Sequence, residues 1–411
     1  MPVTWQQLYA DRTAGMRASD IREILKVTAQ PDIISLAGGL PAPELFPVDE
    51  YRRAFEWVLE ADGAQALQYG PSEGYQPLRR LLAERLSRFD MPCAHDDLLV
   101  TNGSQQALDL MGKIFLNPGD AVLVETPTYL GALQAFNQYQ ATYAIVPMDD
   151  DGMRVDEVER ILSRKRSGAT PIKFIYALPN FQNPTGRSMS LERRRRLVEL
   201  ASHFGVPIVE DDPYGELRYE GHALPTLKSL DSDGSVIYLG TFSKILAPGF
   251  RLGWILASPE VMETLLHGKQ PSDLHTGMAQ QMATFEVAKG GFVDQHVERI
   301  KAFYRERRDV MLRSIEEHFP ADAHYTRPAG GLFVWAELPS DIDTRELLLD
   351  AIKEKVAFVP GQGFHADGSG TNTMRLNFSN VPPDQLQEGV RRLGHAIQRR
   401  LDHAVSASAT A

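Results

Sequence analysis

Short apolar runs alternate with amphipathic segments over residues 98–256, and this alternation is the strongest constraint on the fold. The runs typical of strands lie in DDLLVTNG, AVLVETP, TYAIVPM, PIKFIYALP, VPIVEDD, SVIYLG and LGWILAS. Segments such as SQQALDLMGKIFL and SLERRRRLVELASHF, which separate several of these runs, have apolar residues at helical spacing. Nearly unbroken apolar strands separated by helices are typical of a parallel sheet that is buried on both faces. The predicted fold class is α/β, with a large domain whose mostly parallel, seven-stranded-type sheet is flanked by helices.

The pattern changes after residue 290. The stretch GFVDQHVERIKAFYRERRDVMLRSIEEHF predicts one long helix, and GGLFVWAELP, VAFVPG and TMRLNFS predict strands. Further helices are predicted around 344–353 and 383–402, and the polar end AVSASATA is expected to fray. We therefore expect a smaller α+β domain after the large one.

Composition and charge exclude several classes of protein. A net charge of −11 argues against a general binder of nucleic acid or of anionic membranes. Cys93 is the only cysteine, so no intrachain disulfide and no CxxC zinc site is possible, and we expect no metal. No apolar run approaches the ~18 residues of a membrane span, and MPVTWQQLYADRTAGMR lacks the apolar core of a signal peptide, so we expect a cytoplasmic protein. The arginines at 193–196 fill four successive helix positions, point in all directions and are expected to be solvated.

Three predicted strands end in polar residues of different chemistry. Asn183 lies in NPTG, Asp211 and Tyr214 lie in VEDDPYG, and Lys244 lies in FSK. Each alone has an ordinary explanation: a turn, a strand exit or a surface lysine. Ligands of open α/β sheets collect at the carboxyl ends of the strands, however, and an amide, a carboxylate and an amine together favour a reaction site.

The loop TNGSQQAL predicts a site for a phosphate. Gly103 lets the backbone come close to a ligand, and the following helix begins with free N–H groups and a favourable dipole. The expected phosphate donors are Ser104, Gln105, Thr241, Ser243 and Arg251. The chain has neither a Walker GxxxxGK[ST] motif nor a complete GxGxxG motif.

A ligand with a phosphate, an aldehyde and a ring nitrogen fits this combination of residues. Pyridoxal phosphate offers its aldehyde to Lys244, its pyridine nitrogen to an aspartate, and its phenolic oxygen to an asparagine and a tyrosine. A carboxylate beside the ring nitrogen keeps the ring protonated, so that it can act as an electron sink.

The order of GSQQAL, NPTG, VEDDPY, FSKILAPGFRLGW and MRLNFS resembles the fold type I aminotransferases of pyridoxal phosphate, from about residue 15 to about residue 400. Within that family, SDIREILK, ISLAGGLPAPELFP, LQYGPSEGYQPLR and GGLFVWAELP are most similar to the 2-aminoadipate and kynurenine aminotransferases. The bacterial enzymes of lysine biosynthesis in that branch are especially similar.

The resemblance implies roles for the residues around the cofactor. Lys244 would be the Schiff-base lysine and the proton carrier, and Asp211 would pair with the pyridinium. Asn183 and Tyr214 would hold the phenolate oxygen, and Tyr129 would stack on the ring. The phosphate would be bound by Ser104, Gln105, Ser243 and Arg251, with Thr241 as a further candidate.

The resemblance also implies contacts with the substrate and with a second subunit. Arg375 would bind the substrate α-carboxylate, with Gly39 and Asn183 also at the substrate. The stretch ASDIREILKVTA predicts an amphipathic helix with Arg22 near the edge of its apolar side, and Arg22 would pair with an acidic substrate side chain or else be a surface arginine. Tyr69 would reach the phosphate of a partner subunit, which implies a homodimer with shared active sites.

The same resemblance implies how the chain is divided. We expect an N-terminal helix and substrate-facing segment at 1–45, a large pyridoxal-phosphate-binding domain at 46–290, and a small C-terminal domain at 291–411.

The activity implied is transfer of an amino group from an amino acid to a 2-oxo acid such as 2-oxoglutarate, with ping-pong kinetics. The donor could be 2-aminoadipate, glutamate, leucine or an aromatic amino acid. One alternative is an aromatic or branched-chain aminotransferase without a preference for 2-aminoadipate, and another is different pyridoxal phosphate chemistry such as decarboxylation or β-elimination. A third is a non-catalytic pyridoxal phosphate sensor of the kind fused behind a DNA-binding winged helix, but the aminotransferase-like pattern here starts within the first twenty residues.

Overall fold

The computed structural model describes residues 2–15, 32–164 and 171–408. The strands in chain order are β1 (Ile34–Ser35), β2 (Leu98–Asn102), β3 (Ala121–Thr126), β4 (Thr142–Asp149), β5 (Gly152–Met153), β6 (Ile172–Ala177), β7 (Ile208–Asp211), β8 (Val236–Thr241), β9 (Leu252–Leu256), β10 (His324–Tyr325), β11 (Phe333–Glu337), β12 (Val356–Ala357), β13 (Val359–Pro360) and β14 (Thr373–Asn377). The α-helices are α1 (Val48–Ala66), α2 (Gln76–Ser87), α3 (Ser104–Phe115), α4 (Leu130–Asn137), α5 (Val155–Arg164), α6 (Leu191–Phe204), α7 (Leu227–Leu230), α8 (Pro259–Asp273), α9 (Met278–Ala288), α10 (Phe292–His318), α11 (Thr344–Lys353) and α12 (Pro383–Ser408).

Within the described residues, eight strands form one sheet in the order β2-β9-β8-β7-β6-β3-β4-β5. Strands β8, β7, β6, β3 and β4 are parallel, and only β9 and β5 run in the opposite direction. The seven predicted strands are all present, and the α/β fold class is confirmed. The eighth strand, β5, was not predicted because a two-residue strand carries no periodic signal.

Both faces of this sheet are buried, as the apolar runs predicted. Along β3, Val122 and Val124 pack on one face, whereas Ala121 and Leu123 pack on the other. Successive side chains of a strand alternate between faces, so a run buried on both sides must be apolar throughout.

The direction of the strands determines where the polar strand ends meet. Because β2, β3, β6, β7 and β8 run the same way, the loops that follow them leave the sheet at one edge. Those loops and strand ends carry Ser104, Tyr129, Asn183, Asp211 and Lys244. The fold therefore brings these residues, distant in sequence, to one edge of the sheet.

The C-terminal part forms a second, antiparallel sheet in the order β10-β11-β14-β13. The stretch VAFVPG was expected to be one strand but forms two, β12 and β13, which belong to different sheets. Strand β12 pairs in parallel with β1, so the N-terminal segment joins the C-terminal part of the chain. Helix α12 continues to Ser408, beyond the predicted end near 402 and into the stretch that was expected to fray. The division at residues 45 and 290 stays a prediction.

One arginine of the 193–196 run contradicts the expectation that all four are solvated. The side chain of Arg194 is fully buried, and its N–H groups donate to four oxygen atoms. Arg194 lies three and four residues before Leu197 and Val198, which are buried as well, so it belongs to the inward face of α6.

No helix in the part of the chain that the structure describes is long and apolar enough to span a membrane.

Candidate active site

A cavity opens at the edge of the sheet where the parallel strands end. Its walls contain all but one of the residues predicted to bind the cofactor: Ser104, Gln105, Tyr129, Asn183, Asp211, Tyr214, Thr241, Ser243, Lys244 and Arg251. Gly39 and Arg375, both predicted to contact the substrate, also line it. The structure thus brings together residues from five loops and from both ends of the chain.

Two predicted site residues do not line this cavity. Tyr69 is 78% exposed, and its ring lies edge-on to that of His275, with 5.8 Å between the ring centroids. Arg22 lies outside the described residues, so its contact with the substrate stays a prediction.

Asp211 is the last residue of β7 and is almost fully buried. Its Oδ2 accepts a hydrogen bond from the Tyr176 hydroxyl at 2.8 Å, whereas its Oδ1 is buried without a partner among the described residues. Burial raises the pKa of Asp211 to about 7, and the neighbouring Asp212 carboxylate adds to the rise. A buried carboxylate oxygen that lines a cavity and lacks a donor suits a ligand that brings its own N–H.

Lys244 lies three residues after the end of β8 and projects into the cavity. Its Nζ donates to the carbonyl oxygen of Gly39 at 2.8 Å. Burial lowers the pKa of Lys244 to about 8, and the positive charges of Arg375 and Arg251 contribute to this decrease. Near neutral pH, Lys244 is therefore more often a neutral, nucleophilic amine than an ordinary lysine is.

The predicted phosphate site is built around the N-terminus of α3. Gly103 precedes this helix with a φ of 72°, and a side chain there would collide with the guanidinium of Arg251. The Oγ of Ser104 is buried without a partner among the described residues. The helix N-terminus, a free hydroxyl and a guanidinium thus surround one position, as an anion site requires.

All the predicted phosphate donors except Ser104 have partners among the described residues, and Arg251 donates to the Pro248 carbonyl oxygen at 3.2 Å. The Thr241 hydroxyl contacts the Ser243 hydroxyl at 2.9 Å and the Leu252 carbonyl oxygen at 3.1 Å. Gln105 donates its side-chain amide to the Gly131 carbonyl oxygen at 2.9 Å, which ties α3 to α4. These contacts orient the cavity wall.

The guanidinium of Arg375 is buried and reaches the cavity from β14 of the second sheet. It donates to Asn183 Oδ1 and to the Ala37 carbonyl oxygen, each at 2.9 Å, and its Nε has no partner among the described residues. It lies 4.3 Å from the ring centroid of Phe333 and 5.0 Å from that of Phe364. Burial lowers its pKa to about 10, so the group stays positive at neutral pH.

The NPTG loop brings Asn183 to Arg375. Gly186 has a φ of 70°, and a Cβ there would lie 2.7 Å from the Phe333 carbonyl oxygen. A glycine is therefore needed for the loop to approach β11. Asn183 and Tyr214 both line the cavity, so the two predicted phenolate ligands face the same space.

Sequence reasoning missed several residues that shape the site. Tyr176, which donates to Asp211, lies within β6 and cannot be told from a core tyrosine by its pattern. Phe333, beside Arg375, lies in a stretch that indicated a strand only. Gln182 donates to the Pro127 carbonyl oxygen at 2.7 Å and accepts from the Thr185 hydroxyl, so it links the loops of Tyr129 and Asn183. The described residues contain no cluster that could hold a metal.

Comparison with known proteins assigns the family. A family model described as aminotransferase class I and II matches residues 31–393. The chain is a class I and II aminotransferase. This result confirms the predicted family and enzyme class.

Relatives of this aminotransferase match it over nearly its whole length. Aromatic-amino-acid aminotransferase 1 of Thermococcus litoralis is 48% identical and covers 97% of this chain and 95% of its own. The crystal structure of the Pyrococcus horikoshii kynurenine aminotransferase in complex with PMP is 46% identical, with a TM-score of 0.93 over 97% of this chain and 98% of that one. The alpha-aminoadipate aminotransferase of Thermus thermophilus, complexed with N-(5'-phosphopyridoxyl)-L-leucine, is 42% identical, with a TM-score of 0.91 over 97% and 100% of the two chains. The predicted branch of the family is therefore confirmed.

Proposed function

We propose that this aminotransferase uses pyridoxal 5'-phosphate to move an amino group from an amino acid to a 2-oxo acid such as 2-oxoglutarate. The observation that carries the proposal is one cavity with a lysine of lowered pKa, a carboxylate oxygen and a hydroxyl at a helix N-terminus, the last two without partners among the described residues. The cofactors named for the two solved relatives are of the same chemical class.

The groups present fit pyridoxal phosphate part by part. Asp211 Oδ1 can accept from the ring nitrogen, and Ser104 with Arg251 can bind the phosphate. Lys244 Nζ would bond to the aldehyde carbon, and the aldehyde oxygen would leave as water. Bound pyridoxal phosphate supplies an electron sink for the negative charge that develops at the substrate Cα.

The residues of the chain supply proton transfer and orientation. The substrate amine would take the place of Lys244 at the aldehyde carbon, and the released Nζ, as a neutral amine, could then remove the proton from the substrate Cα as a general base. Asp211 would hold the ring proton. Asn183 and Tyr214 would orient the phenolic oxygen, and Tyr129 would stack on the ring.

Arg375 has the donors that a carboxylate needs. A guanidinium has five N–H groups, and the contacts to Asn183 and Ala37 use two of them. Its remaining donors include Nε, which is buried and unpartnered within the described residues. We therefore assign the substrate α-carboxylate to Arg375, with the Gly39 backbone beside it.

This assignment gives the three predicted parts of the chain different binding roles. The cofactor residues from Ser104 to Arg251 all belong to 46–290, the predicted large domain. Gly39 comes from 1–45, and Arg375 comes from 291–411. We propose that the large domain holds the cofactor and that the other two parts face the substrate.

We propose 2-aminoadipate, glutamate, leucine and aromatic amino acids as donors. The relatives are named for aromatic amino acids, kynurenine and alpha-aminoadipate, and one is bound to a leucine adduct. A panel of these donors, assayed with 2-oxoglutarate on protein loaded with pyridoxal phosphate, tests the proposal. We expect turnover with parallel double-reciprocal plots. Loading without turnover of any donor would contradict an aminotransferase and favour the sensor.

The same panel tests Arg22. If Arg22 pairs with an acidic substrate side chain, Arg22→Ala should lower kcat/KM for 2-aminoadipate and glutamate by ~10- to 100-fold, because a charge-assisted pair contributes ~1.5–3 kcal/mol. Leucine and phenylalanine should change little. An equal loss for both classes would indicate damage to the fold or the cofactor, and no loss for either would make Arg22 a surface residue.

We propose that the active unit is a homodimer in which Tyr69 contacts the phosphate in the partner subunit. Tyr69 and Leu67 are each 78% exposed, and Leu274, next to the His275 ring, is also exposed. Exposed apolar residues grouped in this way are typical of an interface.

Tyr69→Phe should weaken pyridoxal phosphate binding ~10- to 100-fold, because loss of a hydrogen bond to a charged group costs ~1.5–3 kcal/mol. The measurement is the Kd of the cofactor, with the mass of the active species determined by sedimentation. Tyr325→Phe is the control, since Tyr325 lies in β10 and does not line the cavity. A fully active monomer at assay concentration would contradict the shared site.

A further inference from the structure

Arg194 is buried in α6 but does not line the active-site cavity. Its Nε donates to the Met189 carbonyl oxygen at 2.9 Å, and its Nη2 donates to the Pro179 carbonyl oxygen at 2.7 Å. Met189 N in turn donates to the Pro179 oxygen at 2.9 Å. One side chain therefore bonds to both ends of the loop 179–189, which carries Asn183 to the cavity.

The same guanidinium reaches the strand that carries Asp211. Its Nη2 also donates to Asn180 Oδ1 at 2.7 Å, and Asn180 Nδ2 donates to Asp212 Oδ1 at 3.0 Å. Because the amide oxygen of Asn180 faces a cation, its NH₂ group must face the carboxylate. Asp212 directly follows Asp211, so this chain of two bonds fixes the end of β7.

A further bond connects a third segment. Arg194 Nη1 donates to the Pro225 carbonyl oxygen at 2.8 Å. The nearby residues Leu227 and Lys228 donate their backbone N–H groups to the buried carboxylate of Glu210. Glu210 directly precedes Asp211, so β7 is held from both sides of the residue that faces the cavity.

The geometry points to Arg194 as a positioning residue that sets Asn183 and Asp211 against the cofactor. Two cofactor ligands from different strands depend on one guanidinium, which is planar and satisfies four acceptors in fixed directions. Misplacement of a reacting group by about 1 Å can cost ~100-fold in rate. The inference rests on the proposed function, since it names residues that would hold pyridoxal phosphate.

The four-arginine run provides a matched pair of variants. Arg194→Met removes the buried guanidinium, and Arg195→Met removes the exposed one next to it on the same helix. In Arg194→Met we expect kcat per bound cofactor to fall ~10- to 100-fold. The pH midpoint of the visible absorbance of the lysine-bound cofactor should rise by about half a unit or more, because displaced donors at the phenolic oxygen no longer favour its charged form. Arg195→Met should match the wild type.

Hydrogen exchange on the protein without cofactor gives a readout independent of activity. Amides of 179–189 should exchange at least ~10-fold faster in Arg194→Met than in Arg195→Met. Asn180→Ala serves if Arg194→Met does not fold, because it breaks only the link to Asp212. It should lower kcat and move the absorbance midpoint without changing exchange at Met189. Arg194→Lys keeps the positive charge but lacks the planar guanidinium, so its rate should lie between those of Arg194→Met and the wild type.

Two outcomes would overturn the inference. One is an Arg194→Met protein with the rate, midpoint and exchange of Arg195→Met. The other is an Arg194→Met protein whose rate per bound cofactor equals that of the wild type and whose hydrogen exchange at 179–189 is unchanged. If the wild-type protein binds no pyridoxal phosphate, the proposed function fails instead, and exchange still measures whether Arg194 holds the loop.

Discussion

Lys244→Ala should lower kcat by at least ~10⁴-fold, because the amine that bonds to the cofactor and moves the Cα proton is lost. Among the residues that the structure describes, Lys244 is the only lysine that lines the cavity. The variant loses one hydrogen bond, to the Gly39 carbonyl oxygen, and should remain folded. The measurement is turnover of 2-aminoadipate or leucine with 2-oxoglutarate, together with the visible absorbance of the protein mixed with pyridoxal phosphate.

A second buried lysine provides an internal control for this assignment. Lys269 is fully buried in α8, but its ammonium contacts both carboxylate oxygens of Asp273 at 2.8 Å and also Gln106. Burial lowers the pKa of Lys269, but the Asp273 carboxylate opposes this decrease and favours the protonated, unreactive amine. Borohydride reduction of the loaded wild-type protein should therefore attach the cofactor to the peptide of Lys244. Attachment to the peptide of Lys269 would show that the assignment is wrong.

Asp211→Asn should bind pyridoxal phosphate but lower kcat by ~10²- to 10⁴-fold. An amide cannot keep the ring nitrogen protonated as a carboxylate does, so the ring would withdraw electrons less effectively. The Tyr176 hydroxyl, which donates to Asp211 Oδ2, can still donate to an amide oxygen, so the fold should tolerate the change. The measurement is the single-turnover rate of the first half-reaction.

Asp212→Asn is the matched control for Asp211. The Asp212 carboxylate contacts Asn180 and the Tyr238 hydroxyl and does not line the cavity. The decrease in kcat should therefore be much smaller in Asp212→Asn than in Asp211→Asn. In Asp211→Ala, a cofactor analogue methylated at the ring nitrogen carries a permanent positive charge and should restore part of the rate. A larger loss in Asp212→Asn, or no gain with the analogue, would remove Asp211 from this role.

The sequence predicted the residues that reach the cavity better than those that hold them there. Lys244, Asp211 and Asn183 end strands or begin loops, and their polarity contrasts with the apolar runs before them. Tyr176 gave no such contrast, because a tyrosine within a buried strand also fits ordinary core packing. Hydrogen-bond partners such as this one depend on strand order, which a linear pattern does not contain.

Arg194 shows a different kind of error. Four adjacent arginines suggested a solvated surface, although successive positions on a helix differ by about 100° and cannot share an environment. The spacing from Arg194 to Leu197 and Val198 could have identified it as the inward-facing member of the run. Periodicity is therefore a better guide than charge to which member of such a run is buried.

The pairing of β1 with β12 has a consequence for how the active site assembles during synthesis. Ile34 pairs with Val356, which the ribosome adds roughly 320 residues later. The carbonyl oxygens of Ala37 and Leu40 likewise accept hydrogen bonds from Arg375 and Ser379, respectively, which are synthesised much later. At ~5–20 residues per second, this apolar segment stays without its partners for roughly 15–60 s. The wall that carries Gly39 therefore forms late, and a nascent chain acquires its complete substrate site only after Arg375 and Ser379 have been synthesised.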